Sequence, residues 1–152
     1  MEMSIKREYP GQPVIGVAGV VIDQGRVLLA RRAQAPLKGR WSICGGCLEL
    51  GETIAAGIER ELREETGLEV RCVGLLGAVE RVEKDAEGLV QYHYVVLDYL
   101  CERTGGEAAP ASDSSEVAWV AEGDLGNCEL DDAAKGMIEK AFRIAKRRSS
   151  GE

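Results

Sequence analysis

The sequence predicts an α+β domain, a mixed β-sheet flanked by helices, and three stretches carry that prediction. "PVIGVAGVVID" and "RVLLARR" are β-branched and aliphatic runs joined at a tight Gly25 turn, which is the pattern of a hairpin. "LEVRCVGLLGAVERV" and "LVQYHYVVLDYLCER" form a second, longer hairpin around "EKDAEG", a charged turn closing on Gly88. Between the two pairs, "TIAAGIERELREET" sets Ile54, Ile58 and Leu62 at four-residue steps, the apolar stripe of a helix.

The remaining elements follow in chain order. After a polar leader and the first hairpin, "AQAPLKGRW" has Pro36, Gly39 and no periodicity, so it reads as a loop carrying Lys38 and Arg40. Gly67 is placed to cap the central helix. Gly57 inside that helix costs about 1 kcal/mol relative to alanine, so something other than propensity must account for it. "TGGEAAPASDSSE" is a loop by composition and "VAWV" a short strand. "DDAAKGMIEKAFRIAKRR" is a closing amphipathic helix with Met137, Phe142 and Ile144 among its apolar positions. Its basic end, Lys146 to Arg148, complements the helix dipole and needs no polyanion to explain it.

The 152 residues suit one domain over 1–152, with no internal repeat and no long linker. Lys and Arg number 19 against 26 Asp and Glu, a net charge of -7, which argues against nucleic acid as a partner. A small phosphorylated ligand stays open, because a bound divalent cation can supply the missing positive charge. "MEMSIKREYPGQP" lacks the apolar run of a signal peptide, and no stretch approaches a membrane span. Five cysteines, an odd number, fit reduced thiols better than a disulfide framework, so the expected location is cytoplasmic.

The chemistry concentrates between Gly46 and Leu68. At about 100° per residue, Glu61, Glu64 and Glu65 fall in one sector of the helix, where like charges repel. Arg60 and Arg63 answer part of that charge, and a solvated face of alternating sign is one reading of the helix taken alone. The other reading is a cation site. Gly45, Gly46 and Gly51 let the preceding backbone approach closely and turn a carbonyl toward the carboxylates, and oxygen-only donors suit Mg²⁺ or Mn²⁺.

Gly46, Glu52, Arg60-Glu61-Leu62, Glu64-Glu65 and Gly67-Leu68 match, position for position, G-x5-E-x7-R-E-U-x-E-E-x-G-U, with U aliphatic. Nine fixed positions would coincide by accident on the order of once in 10⁵ such sequences. The chain therefore resembles the Nudix hydrolases, with its box at 46–68, and "KGRW" upstream and "SSEVAWV" downstream extend the likeness over most of residues 13–125. The resemblance implies the Nudix fold, a mixed sheet between helices, and metal-dependent hydrolysis of a nucleoside diphosphate linked to another moiety. It implies that Glu61, Glu64, Glu65 and the Gly46 carbonyl hold the metal and that Glu52 and Arg60 form an ion pair orienting helix against loop. Glu61, or a loop acid such as Glu116 or Asp113, would take the proton of the attacking water, with Glu116 favoured among the loop acids for its place nearest the strand edge.

Arg32, Lys38 and Arg40 are candidates for the substrate phosphates, with a plain loop-edge role as the alternative. His93, alone of its type, and Tyr92, Tyr94 and Tyr99 read as sheet residues, with stacking on a base the alternative for one of the tyrosines, and Trp41 and Trp119 as core or pocket-wall aromatics. The general look is most similar to short ADP-ribose pyrophosphatase relatives, so ADP-ribose or another nucleoside diphosphate sugar ranks first. A nucleoside triphosphate is the enzymatic alternative and a non-catalytic nucleotide-sensing module the other, and family habit implies a homodimer. Cys44 and Cys47 have CxxC spacing, but the helix begins only after Thr53, so they lack the activating N-terminal position of a redox pair.

Overall fold

The structure is a computed structural model that describes residues 5–33, 38–110 and 114–151, without the side chains of 114 and 115. Strands β1 (Val14–Asp23) and β2 (Arg26–Arg32) form the first hairpin, with Ile22 opposite Val27 and Asp23 opposite Arg26. A two-residue strand, β3 (Trp41–Ser42), pairs with β2. The CGGC stretch, to which the sequence reading assigned no element, is itself a strand, β4 (Cys44–Cys47). It runs antiparallel to β1 with Gly16 opposite Cys47 and Gly19 opposite Cys44. A Cβ on Gly45 would run into the Val17 carbonyl, so glycine is what lets these backbones pack together.

Helix α1 (Ile54–Thr66) starts where Thr53 caps it, Oγ1 accepting from the Ala56 amide at 3.1 Å. It ends at Gly67, whose φ of 77° closes the last turn through its amide to the Arg63 carbonyl. Gly57 now has its reason. A Cβ there would stand 3.0 Å from both Glu52 Oε1 and Leu48 Cδ1, so the helix gives up propensity to lie close to the loop before it.

Strands β5 (Glu69–Lys84) and β6 (Val90–Gly105) form the long antiparallel hairpin, and β6 runs parallel to β1 from Val14–Tyr94 to Val21–Cys101. The sheet is therefore mixed. Strand β7 (Ser114–Ala121) pairs with β2 and is longer than the four residues read from sequence. A 3₁₀ segment (Glu122–Cys128), not read from sequence, leads into α2 (Asp132–Ser149), whose N-cap Asp131 Oδ1 accepts from the Ala134 amide at 2.8 Å.

Alternation along the strands sorts the core into two layers. Val17 and Val21 of β1 with Leu28 of β2 face Ile58 and Leu62 of α1. Val20, Val27 and Leu29 face Ile138, Ala141 and Phe142 of α2. Full burial of each such side chain contributes roughly 1.5–3 kcal/mol. The result is an α/β/α sandwich, with Trp119 packed on the first layer and Trp41 on the second. Among the described residues no helix is long and apolar enough to cross a membrane.

Candidate active site

Arg60 organises the acidic end of α1. Its Nε donates to Glu52 Oε2 at 2.6 Å and its Nη2 to Glu52 Oε1 at 3.0 Å, a two-pronged pair that ties the helix to the loop before it. Nη2 also donates to the Cys47 carbonyl at 3.0 Å, and Nη1 to Glu61 Oε1 at 2.8 Å and Glu64 Oε2 at 3.2 Å. One guanidinium thus holds β4, the connecting loop and the helix in fixed relation. The hydrogen bonds from Arg60 hold the Glu52 carboxyl below its ordinary range.

Glu61 is 8% exposed and its carboxylate rests on the bare Cα of Gly46, where any Cβ would collide with it. Burial pushes the Glu61 carboxyl up, against the opposing pull of Arg60. Glu65 is buried beside it, whereas the Glu64 side chain is half exposed. Among the described residues no three Asp, Glu, His or Cys side chains gather closely enough to form a ready-made metal cluster. The donor chemistry nonetheless fits a hard cation: carboxylate oxygens set beside a glycine backbone with no side chain in the way.

These residues border a cleft of about 210 Å³ that lies on the α2 side of the sheet. Gly46, Glu61 and Glu65 line one end, and Gly16, Ala18 and Val96 belong to its floor. Of the three basic candidates, only Arg32 lines it. Lys38 is exposed, and Arg40 turns away to the Glu129 carbonyl at 3.3 Å. Glu116 lies outside the lining; it meets Arg31 Nη1 at 2.9 Å, and Arg31 is the residue that faces the cleft and covers Trp41 at 5.7 Å. Asp113 is outside the described residues. His93 sits opposite Val82 in the β5–β6 ladder, away from the lining.

Arg7, Arg81 and Asp98 line the cleft without having been singled out in the sequence, and Tyr94, read there as a sheet residue, lines it too. Arg7 belongs to the polar leader, which is tied to the second hairpin by the Tyr9 amide on the Gln91 carbonyl (2.7 Å) and Tyr9 Oη on Asp85 (2.8 Å). Its charge acts on Glu61, Cys47 and Tyr94. The leader has no periodicity, so only the "KRE" charges hinted at it. Asp98 and Arg81 looked like ordinary members of alternating strands.

The sequence pattern of the NUDIX domain matches residues 12–141. This chain belongs to the Nudix hydrolase family. It is 31% identical over 115 residues to an ADP-ribose pyrophosphatase of Methanocaldococcus jannaschii, covering 76% of this chain and 64% of that protein's length. It is 36% identical over 121 residues to a MutT-like protein of Streptomyces ambofaciens, covering 78% and 71% of the two chains. The crystal structure of a MutT Nudix hydrolase from Burkholderia pseudomallei superposes with a TM-score of 0.74 at 29% identity, over 85% of this chain and 98% of that one.

Proposed function

We propose that the protein is a divalent-cation-dependent pyrophosphohydrolase that splits a nucleoside diphosphate linked to a second moiety, with ADP-ribose or a related nucleoside diphosphate sugar as substrate. The observation that carries this reading is the cleft's composition: buried carboxylates against a bare glycine at one end, Arg7 and Arg32 beside them, and a largely apolar remainder. Mg²⁺ or Mn²⁺ held by Glu61, Glu64, Glu65 and the Gly46 carbonyl would draw charge from the phosphoryl oxygens and acidify bound water. Arg60 keeps Glu61 in place. Glu61, facing the cleft where Glu116 does not, takes the proton of the attacking water. The water oxygen bonds to phosphorus as the bridging P–O bond breaks, and ADP-ribose yields AMP and ribose 5-phosphate. Arg7 and Arg32 meet the phosphate charge.

The partner in this reading is a small nucleotide, and the assembly is a cytoplasmic homodimer. The test is a product screen of ADP-ribose, other nucleoside diphosphate sugars, dinucleotides and nucleoside triphosphates with Mg²⁺ or Mn²⁺. Turnover of a nucleoside diphosphate sugar above the rest supports the reading, preference for a triphosphate moves the substrate class, and turnover of none overturns it.

A further inference from the structure

The cleft also holds a carboxyl that the hydrolytic chemistry does not use. Asp98 of β6 is 4% exposed and lines the cleft. Its neighbours across the sheet are Ala18 of β1 and Gly77 of β5, neither of which offers a side-chain donor. Space beside Gly77 is filled by the Met137 thioether, whose Cε lies 2.6 Å from where a Cβ would be. The nearby charged groups are engaged elsewhere. Asp131 caps α2 through one oxygen and accepts from Arg81 Nη2 at 3.3 Å through the other, and Arg81 also reaches Glu83 at 3.2 Å.

No described residue hydrogen-bonds to the Asp98 carboxyl or pairs with it, while among the described residues every side-chain polar atom fully cut off from the surface has a partner. The Asp98 oxygens are therefore open to the cleft. Burial and the charge of Asp131 raise this group to about 7. A buried acid without partners costs stability, and a ligand that brings N–H donors recovers that cost. The walls beside it are small and apolar: Ala18, Val79 and Val96 on the sheet, Ala133 and Ala134 at the start of α2. Such walls suit the faces of a planar ring and would leave the hydroxyls of a sugar unpaired.

We propose that Asp98 determines base specificity, accepting a hydrogen bond from the exocyclic amino group of the substrate's nucleobase. The proposal rests on the nucleotide reading above. Neutral or ionised, the carboxyl keeps an oxygen that accepts from an amino group.

Matched substrates that differ by one amino group test it: ADP-ribose against its 6-deamino purine counterpart, and a GDP-sugar against the corresponding IDP-sugar. In at least one pair the wild type is expected to favour the amino-bearing member in kcat/KM by about tenfold or more. Asp98→Ala should bring that ratio to within about twofold, while the deamino substrate changes less than about threefold. Asp98→Leu, similar in size and without an acceptor, gives the same reading if the alanine variant does not fold. A ratio that survives both substitutions, or a wild type that ignores the amino group in both pairs, overturns the proposal. Calorimetric binding of AMP, GMP and their deamino analogues reads the same ratios without turnover, so absence of hydrolysis would overturn the assigned activity and leave the Asp98 assignment still decided by binding.

Discussion

Glu61 and Asp98 border one cleft, are buried to nearly the same degree, 8% and 4% exposed, and are both pushed upward mainly by burial. Their surroundings separate them. Glu61 is gripped by Arg60, which also binds Glu52, Glu64 and the Cys47 carbonyl, so its carboxylate is a fixed part of a network. Asp98 faces alanine and glycine across the sheet and has no such grip. Similar burial thus accompanies two settings: a carboxylate gripped by an arginine and one open to the cleft.

The largest effect expected from breaking the first region is on turnover. Glu64→Gln together with Glu65→Gln removes two of the carboxylates proposed to hold the cation and should lower kcat by about 10³-fold or more, equivalent to roughly 4 kcal/mol of transition-state stabilisation. Steady-state rates at saturating Mg²⁺ measure it. Arg60→Met should act on the fold as well, because the buried Glu61 and the partly buried Glu52 are left without their cation. A loss of about 3 kcal/mol is expected, read as a melting temperature lower by roughly 10 °C.

The second region responds to pH. The native Asp98 carboxyl, raised from 3.8 to about 7, binds a proton that the unfolded chain has already lost across that window. The native state therefore holds more protons, and stability falls as pH rises from about 4 to 7, then levels off. Asp98→Asn removes that slope. Relative to wild type, the variant should gain on the order of 2–4 kcal/mol between pH 4 and pH 8 in denaturant titrations, whatever constant offset the amide introduces. An unchanged slope would contradict the burial argument.

The smallest effects belong to the cysteines. Cys44→Ser and Cys47→Ser should keep kcat within about twofold. The Cys44 thiol is packed in the layer under α1 and burial pushes it up, which removes thiolate reactivity, so its substitution should cost stability and spare turnover. Thiol-dependent activity in the reduced protein would break this ordering.

What the sequence disclosed follows the same division. Spacing on one helix made Arg60, Glu61, Glu64 and Glu65 legible, because positions one turn apart share a face whatever the tertiary structure. Alternation and turn glycines likewise exposed both hairpins. The cleft's other residues depend on contacts distant in sequence. Arg7 is near Glu61 only because Tyr9 is tied to the second hairpin, and Asp98 is distinctive only because register sets it between Ala18 and Gly77. The strand character of β4 was hidden for a related reason. Two adjacent glycines signal a loop by propensity, whereas here Gly45 admits the close passage of Val17. Lys38 and Arg40 were drawn from the right neighbourhood, but charge near a box does not reveal which way a loop turns.

The most direct test of the division within the cleft is a side-by-side kinetic comparison of Glu65→Gln and Asp98→Ala on ADP-ribose and its 6-deamino counterpart. The expected result is that Glu65→Gln lowers kcat on both substrates by a similar factor, while Asp98→Ala raises KM on ADP-ribose selectively and leaves kcat on the deamino substrate near wild type. A fall in kcat of equal size on both substrates for Asp98→Ala, or turnover that survives Glu65→Gln, would contradict it.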